Sequence, residues 1–143
     1  MYDTADGAPT VVEAGEAATA LECEDISCAD ARMAVRSVLT QEYRDLPTDD
    51  AERLRDDALL VVTELVTNAL LYAGTVTGLS VRRIGDELHL RVSDDSPEAP
   101  KERTPVPGSK GGYGWKVIRR LCRRVQIDTE PDGKTVTAVL ALA

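Results

Sequence analysis

Residues 56–74, DDALLVVTELVTNALLYAG, carry apolar side chains almost all the way round a helix, so the rest of the chain must cover it. Thr48, Asp49 and Asp50 start that helix with acids suited to its N-terminus, and Ala73-Gly74 ends it with a glycine C-cap. Glu64 and Asn68 interrupt the apolar surface four residues apart, a spacing that stacks them on one face. Burying an ionised carboxylate without a partner is costly, so a ligand or a charged group is expected opposite them.

The cover is legible on either side. Upstream, SCADARMAVRSVLTQEY has Ser27 or Asp30 as a candidate N-cap and apolar residues at 31, 35, 38 and 39, an amphipathic helix. Downstream the period drops to two: TGLSVRRI and ELHLRVSD flank Gly85-Asp86 and read as an antiparallel hairpin, with His89 pointing to solvent. WKVIRRLCRRVQI is a helix running into a strand. Its stripe of Val117, Ile118, Leu121, Cys122 and Val125 opposes a basic face of Lys116, Arg119, Arg120, Arg123 and Arg124, read as solvated. VQIDTE and KTVTAVLAL form a last hairpin about PDG. Helices segregated on one face of a mostly antiparallel sheet give an α+β two-layer sandwich.

Charge is uneven in this chain of 143 residues, which is long enough for one core. Residues 1–25 hold seven acids and no Lys or Arg, leaving 18 acids against 17 bases for the remainder. Residues 1–26 therefore read as an acidic, flexible leader, with TALEC able to supply an edge strand, and 27–143 as the domain. The acidic balance argues against direct nucleic-acid binding. No apolar run approaches the roughly 20 residues that span a bilayer, and no signal segment opens the chain, so the expected location is the cytoplasm. Three cysteines and one histidine are too few for a tetrahedral zinc site at usual spacing, and the thiols are expected to be reduced.

Three pieces could carry chemistry. Glu64 and Asn68 are the first; an amide oxygen beside a carboxylate suits Mg²⁺ bound chiefly through water and a nucleotide's phosphates, and a carboxylate can polarise an attacking hydroxyl. The second is Asp94, which closes a strand where VSDDSPEAP enters a long segment with four prolines and four glycines. Such a loop in a compact domain is often a lid. The third is GSKGGYGWKVI, residues 108–118, a glycine-rich turn opening a helix, where free N–H groups favour phosphate. It has neither the Rossmann nor the Walker spacing, and alone it is equally a packing device.

Taken together, ELVTNALLYA, VSDDSPEAP and GGYGWKVIRRL resemble the N, G1 and G2 boxes of the GHKL (Bergerat-fold, histidine kinase-like) ATPases. The likeness runs from Ser27 to Leu142 and is strongest to the bacterial anti-sigma regulatory factors that act as serine-protein kinases. It implies a sandwich with helices on one face of a mixed, mostly antiparallel sheet, and ATP and Mg²⁺ as ligands. It implies Asn68 as the metal ligand, Glu64 as general base and Asp94 as the reader of the adenine amino group. Gly112 and Gly114, supported by Gly111, would bring backbone N–H groups to the phosphates. By position alone, and not by the resemblance, Lys101, Arg103 and Lys110 in the lid are candidate γ-phosphate contacts. The implied partners are a sigma factor and an anti-anti-sigma (STAS-type) antagonist phosphorylated on serine, and the likeness suggests a homodimer. The other reading is an ATP-binding regulatory module with little or no catalysis, acting through protein–protein binding. Three departures stand out: Ser96 where glycine is usual, Tyr72 where histidine is frequent, and Trp115 where leucine is common. Trp115 is expected to pack on the core.

Overall fold

The computed structural model describes residues 10–12, 18–22, 26–42, 45–98 and 114–142. Nine elements follow in order: β1 (Thr10–Val12), β2 (Ala18–Glu22), α1 (Cys28–Glu42), α2 (Thr48–Tyr72), β3 (Gly78–Ile84), β4 (Glu87–Asp94), α3 (Gly114–Leu121), β5 (Arg124–Glu130) and β6 (Gly133–Ala141). The strands make one six-stranded sheet, order β1-β2-β3-β4-β6-β5, and each described pair is antiparallel. The α+β two-layer architecture is the expected one. The sheet also reaches back beyond residue 27, where the sequence reading set the start of the domain, because β1 and β2 join it beside β3.

α1 and α2 are started by local chemistry. Ser27 Oγ accepts from the Asp30 N–H at 3.1 Å while the Asp30 carboxylate accepts from the Ser27 N–H at 3.0 Å, a reciprocal capping box. α2 begins after Pro47 without a side-chain cap, and Asp49 and Asp50 in its first turn favour its positive end. It ends at Tyr72 and is stopped by Gly74, whose φ of 85° only glycine adopts cheaply and whose N–H returns to the Ala69 carbonyl at 3.1 Å.

One face of the sheet is apolar, and alternation along the strands fixes which residues it shows. Val81 and Leu90 are partners, as are Leu79 and Val92; on the other side Leu88 faces Leu140, Leu90 faces Ala138 and Val92 faces Val136. All are buried under α1 and α2. α2 itself is covered on one side only, so Leu60, Leu70 and Leu71 remain exposed. The all-round apolar pattern thus overstates the helix's burial, and Glu64 and Asn68 are half-buried.

The opposite face is polar. His89 lies there as expected, but its side chain is only 17% exposed, because it packs on Glu87 with Nε2 at 3.2 Å from Oε1. Lys116, Arg119 and Arg120 on α3 are exposed, in keeping with a solvated basic face. Arg124 and Arg123 both reach Glu87, at 2.7 and 2.9 Å. Hydrogen bonds from Arg124 foremost, then Arg123 and His89, hold the Glu87 carboxyl down at about 2 against an ordinary 4.5. A carboxylate with a lowered value in the folded state stabilises it at pH above the unfolded value. That contribution is lost as pH falls from about 4.5 through about 2. Glu87→Gln should therefore flatten the acid limb of a stability–pH curve in that window and leave its slope near neutrality unchanged. Burial, with Asp57 nearby, pushes the Cys122 thiol up to about 12, so it stays protonated and unreactive at neutral pH. No described helix is long and apolar enough to cross a membrane.

Candidate functional site

The inward face of the β4–β6 ladder does not end on an apolar pair. After Val92·Val136 the next inward rung is Asp94·Lys134, and both residues are buried, at 5% and 6% exposure. Lys134 Nζ lies 2.9 Å from Asp94 Oδ2 and 3.0 Å from Oδ1, and donates to the Ser96 carbonyl at 3.3 Å. The Ser96 N–H donates to Asp94 Oδ1 at 2.9 Å, an Asx-type turn that directs the chain away from the sheet. Gly133 belongs to the same unit: a Cβ there would collide with the Asp94 carbonyl oxygen, so only glycine lets the two strands close at this rung.

Above this floor lies an open cleft of about 110 Å³. It is lined by Leu65, Asn68, Ala69 and Tyr72 from α2, Val92 and Val136 from the sheet, Trp115 from α3, and Ser96 and Glu98. Asn68 and Asp94 therefore meet in one cavity although 26 residues separate them in the sequence. Glu64 stands one turn earlier on α2, outside the lining residues, against the first residue of α3. Its Oε2 is 2.7 Å from where a Cβ on Gly114 would lie. A carboxylate at a helix N-terminus is favourably placed in the helix field.

Trp115 is in the core, as expected, at 8% exposure, but it also walls the cleft. Its Nε1–H has no hydrogen-bond partner among the described residues, a costly state for a buried donor and one that a bound acceptor would relieve. Gly111, Gly112 and Lys110 lie outside the described residues, as do Lys101 and Arg103. Sequence reading missed Lys134: it sits 40 residues from Asp94, and nothing in the spacing signals the pair. It also noted Tyr72 only as a departure from a pattern, whereas Tyr72 is part of the wall.

The residues present fit a Mg²⁺-nucleotide. No group of three or more His, Cys, Asp or Glu side chains among the described residues could hold a metal alone. Mg²⁺ needs no such cage, since it is commonly held through phosphates, water and one or two protein oxygens. Asn68 offers the oxygen inside the cleft, and Asp94 offers a buried acceptor at its floor.

A search of curated proteins found no match. The family model of the histidine kinase-like ATPase domain matches residues 20–140, which takes in α1 to β6 and the last residues of β2. With that match spanning most of the chain, over the cleft and every described residue that builds it, the protein belongs to the histidine kinase-like ATPase (GHKL) family.

Proposed function

We propose that this protein is a Mg²⁺-ATP-binding regulator of the anti-sigma type, which transfers the γ-phosphoryl group of ATP to a serine of an anti-anti-sigma antagonist. The observation that carries the reading is the convergence of Asn68, Asp94 and Trp115 on one cleft, with Glu64 beside the α3 N-terminus at its edge. Asp94 receives the amino group of the adenine. Asn68 holds the metal through its amide oxygen, and the ion, when bound, neutralises phosphate charge. The α3 N-terminus, with Gly114 first, turns its free N–H groups toward the phosphates. Glu64 accepts the proton of the serine hydroxyl as the serine Oγ bonds to the γ-phosphorus; the bond from that phosphorus to the β–γ bridging oxygen breaks and ADP leaves. Such transfer requires mainly positioning and charge neutralisation. The reading includes a cytoplasmic location, a sigma factor as the second partner and a homodimer.

The position of Glu64 outside the cleft lining supports a second reading, an ATP-binding module that signals by binding a partner without phosphoryl transfer. Incubation with γ-labelled ATP and a serine-bearing STAS-type protein separates the two. Label on serine is the expected result; ATP binding with no label on any candidate antagonist would leave the module.

A further inference from the structure

An open sheet edge is a template for pairing with another chain, and folded proteins keep such edges short or blunt them with charge. One edge strand of this sheet, β1, is three residues long. The other, β5, runs for seven residues, RVQIDTE, and among the described residues pairs on one side only, with β6. Six of its seven residues are exposed. The register with β6 puts Val125, Ile127 and Thr129 on the helix side of the sheet and the other four, three of them charged, on the open side.

We propose that β5 is the contact surface between two copies of this chain, paired antiparallel about a twofold axis at Ile127. The inference rests on the reading that the protein is a homodimer, and it names the surface. In that register every residue of the strand finds a partner: Arg124 meets the partner's Glu130 at both ends, Gln126 meets the partner's Asp128, Val125 meets the partner's Thr129, and Ile127 meets itself. Opposite charges directly across antiparallel strands attract and like charges repel, so the residues that deter an unrelated strand each meet a complement on a second copy. The Gln126 amide supplies donors for the carboxylate. Arg124 is held ready, because Glu87 takes two of its five N–H donors at 2.7 and 2.9 Å and fixes the guanidinium on the open side. Ile127, 42% exposed in the single copy, is covered on the axis. Other registers are poorer. An axis between two residues brings helix-side positions against open-side ones. An axis at Asp128 sets that carboxylate against itself, and one at Gln126 leaves Thr129 and Glu130 opposite residues outside the strand. The contact is one strand wide, so a weak, concentration-dependent dimer is expected.

The test combines sedimentation equilibrium of wild type, Glu130→Arg and Glu52→Arg over a concentration series with cross-linking of Val125→Cys, Ile127→Cys and Thr129→Cys by a short thiol-reactive linker. Glu130→Arg sets an arginine against the partner's Arg124 at both ends and should raise the dimer dissociation constant by roughly tenfold or more. Glu52→Arg makes the same change of charge at an exposed position of α2 and should leave the constant as it is. Ile127→Cys lies on the axis and should link into a dimer. Val125→Cys and Thr129→Cys should link poorly alone and well when mixed, each measured above the background of wild type with its own three cysteines. A dimer that Glu130→Arg leaves unchanged, or that links no better at 127 than at 125 or 129, overturns the inference while the homodimer stands. The cross-linking arm decides even where the charge variant does not fold. A wild type that stays monomeric at every concentration removes the homodimer reading, and the inference with it.

Discussion

Exchange of Glu64 for glutamine is expected to lower serine phosphorylation by roughly 10²- to 10⁴-fold, the usual contribution of a positioned base, with ATP affinity little changed. Glutamine keeps the shape of the side chain but cannot take up the hydroxyl proton. The approach of Glu64 to α3 supplies a second, independent handle. A Cβ on Gly114 would press on Glu64 Oε2, the free end of a flexible side chain, and not on backbone. Gly114→Ala should therefore move the carboxylate at small cost in stability and lower the transfer rate, leaving the stability of the fold close to wild type. Single-turnover transfer from γ-labelled ATP, read beside urea unfolding, checks both variants. A Glu64→Gln protein that transfers at the wild-type rate would remove Glu64 as the base.

The second large effect is on stability. Asp94→Ala leaves the Lys134 ammonium in a site only 6% exposed with the Ser96 carbonyl as its remaining partner. Breaking a buried pair on one side costs about 3–5 kcal/mol, because an uncompensated charge remains. Replacing both members by apolar residues removes that charge, so Asp94→Ala combined with Lys134→Met should recover much of the loss while ATP binding stays abolished. Urea denaturation of the two single variants and the double variant measures this; a double variant no more stable than Asp94→Ala would show that the pair is not an isolated charge couple. Gly133 sets the geometry of the same rung, since its missing side chain leaves room for the Asp94 carbonyl.

What could be read from the sequence was largely what lies close along the chain. The Gly85-Asp86 hairpin, the Ser27–Asp30 cap and the Gly74 stop each rest on chemistry within a few residues, and each appears where local rules place it. Asp94 was legible as a site residue through its motif, and strand alternation explains its burial: it shares a face with Leu88, Leu90 and Val92. Lys134 was not legible, because β6 reaches β4 only after α3 and β5 have intervened, and strand pairing of that range leaves no periodic trace. The strand at 18–22 was legible in TALEC, although it lies between β1 and β3 and not at the edge; the strand at 10–12 was obscured by composition, since seven acids fall within residues 1–25. The apolar circumference of α2 misled in the opposite direction. Periodicity reports how much of a helix is apolar, but the single sheet face decides how much of it is covered, and Leu71 at 59% exposure is the result.

The cleft between α2, the β4–β6 ladder and α3 is expected to bind ATP together with Mg²⁺, with Asn68 as the metal's protein ligand. Calorimetric titration of ATP into wild type and Asn68→Ala, each with and without Mg²⁺, tests it most directly. Wild type should bind ATP with Mg²⁺ present and lose affinity when Mg²⁺ is withdrawn, whereas Asn68→Ala should bind weakly and respond little to the metal. Absence of ATP binding by wild type, or equal Mg²⁺ dependence in both proteins, would contradict it.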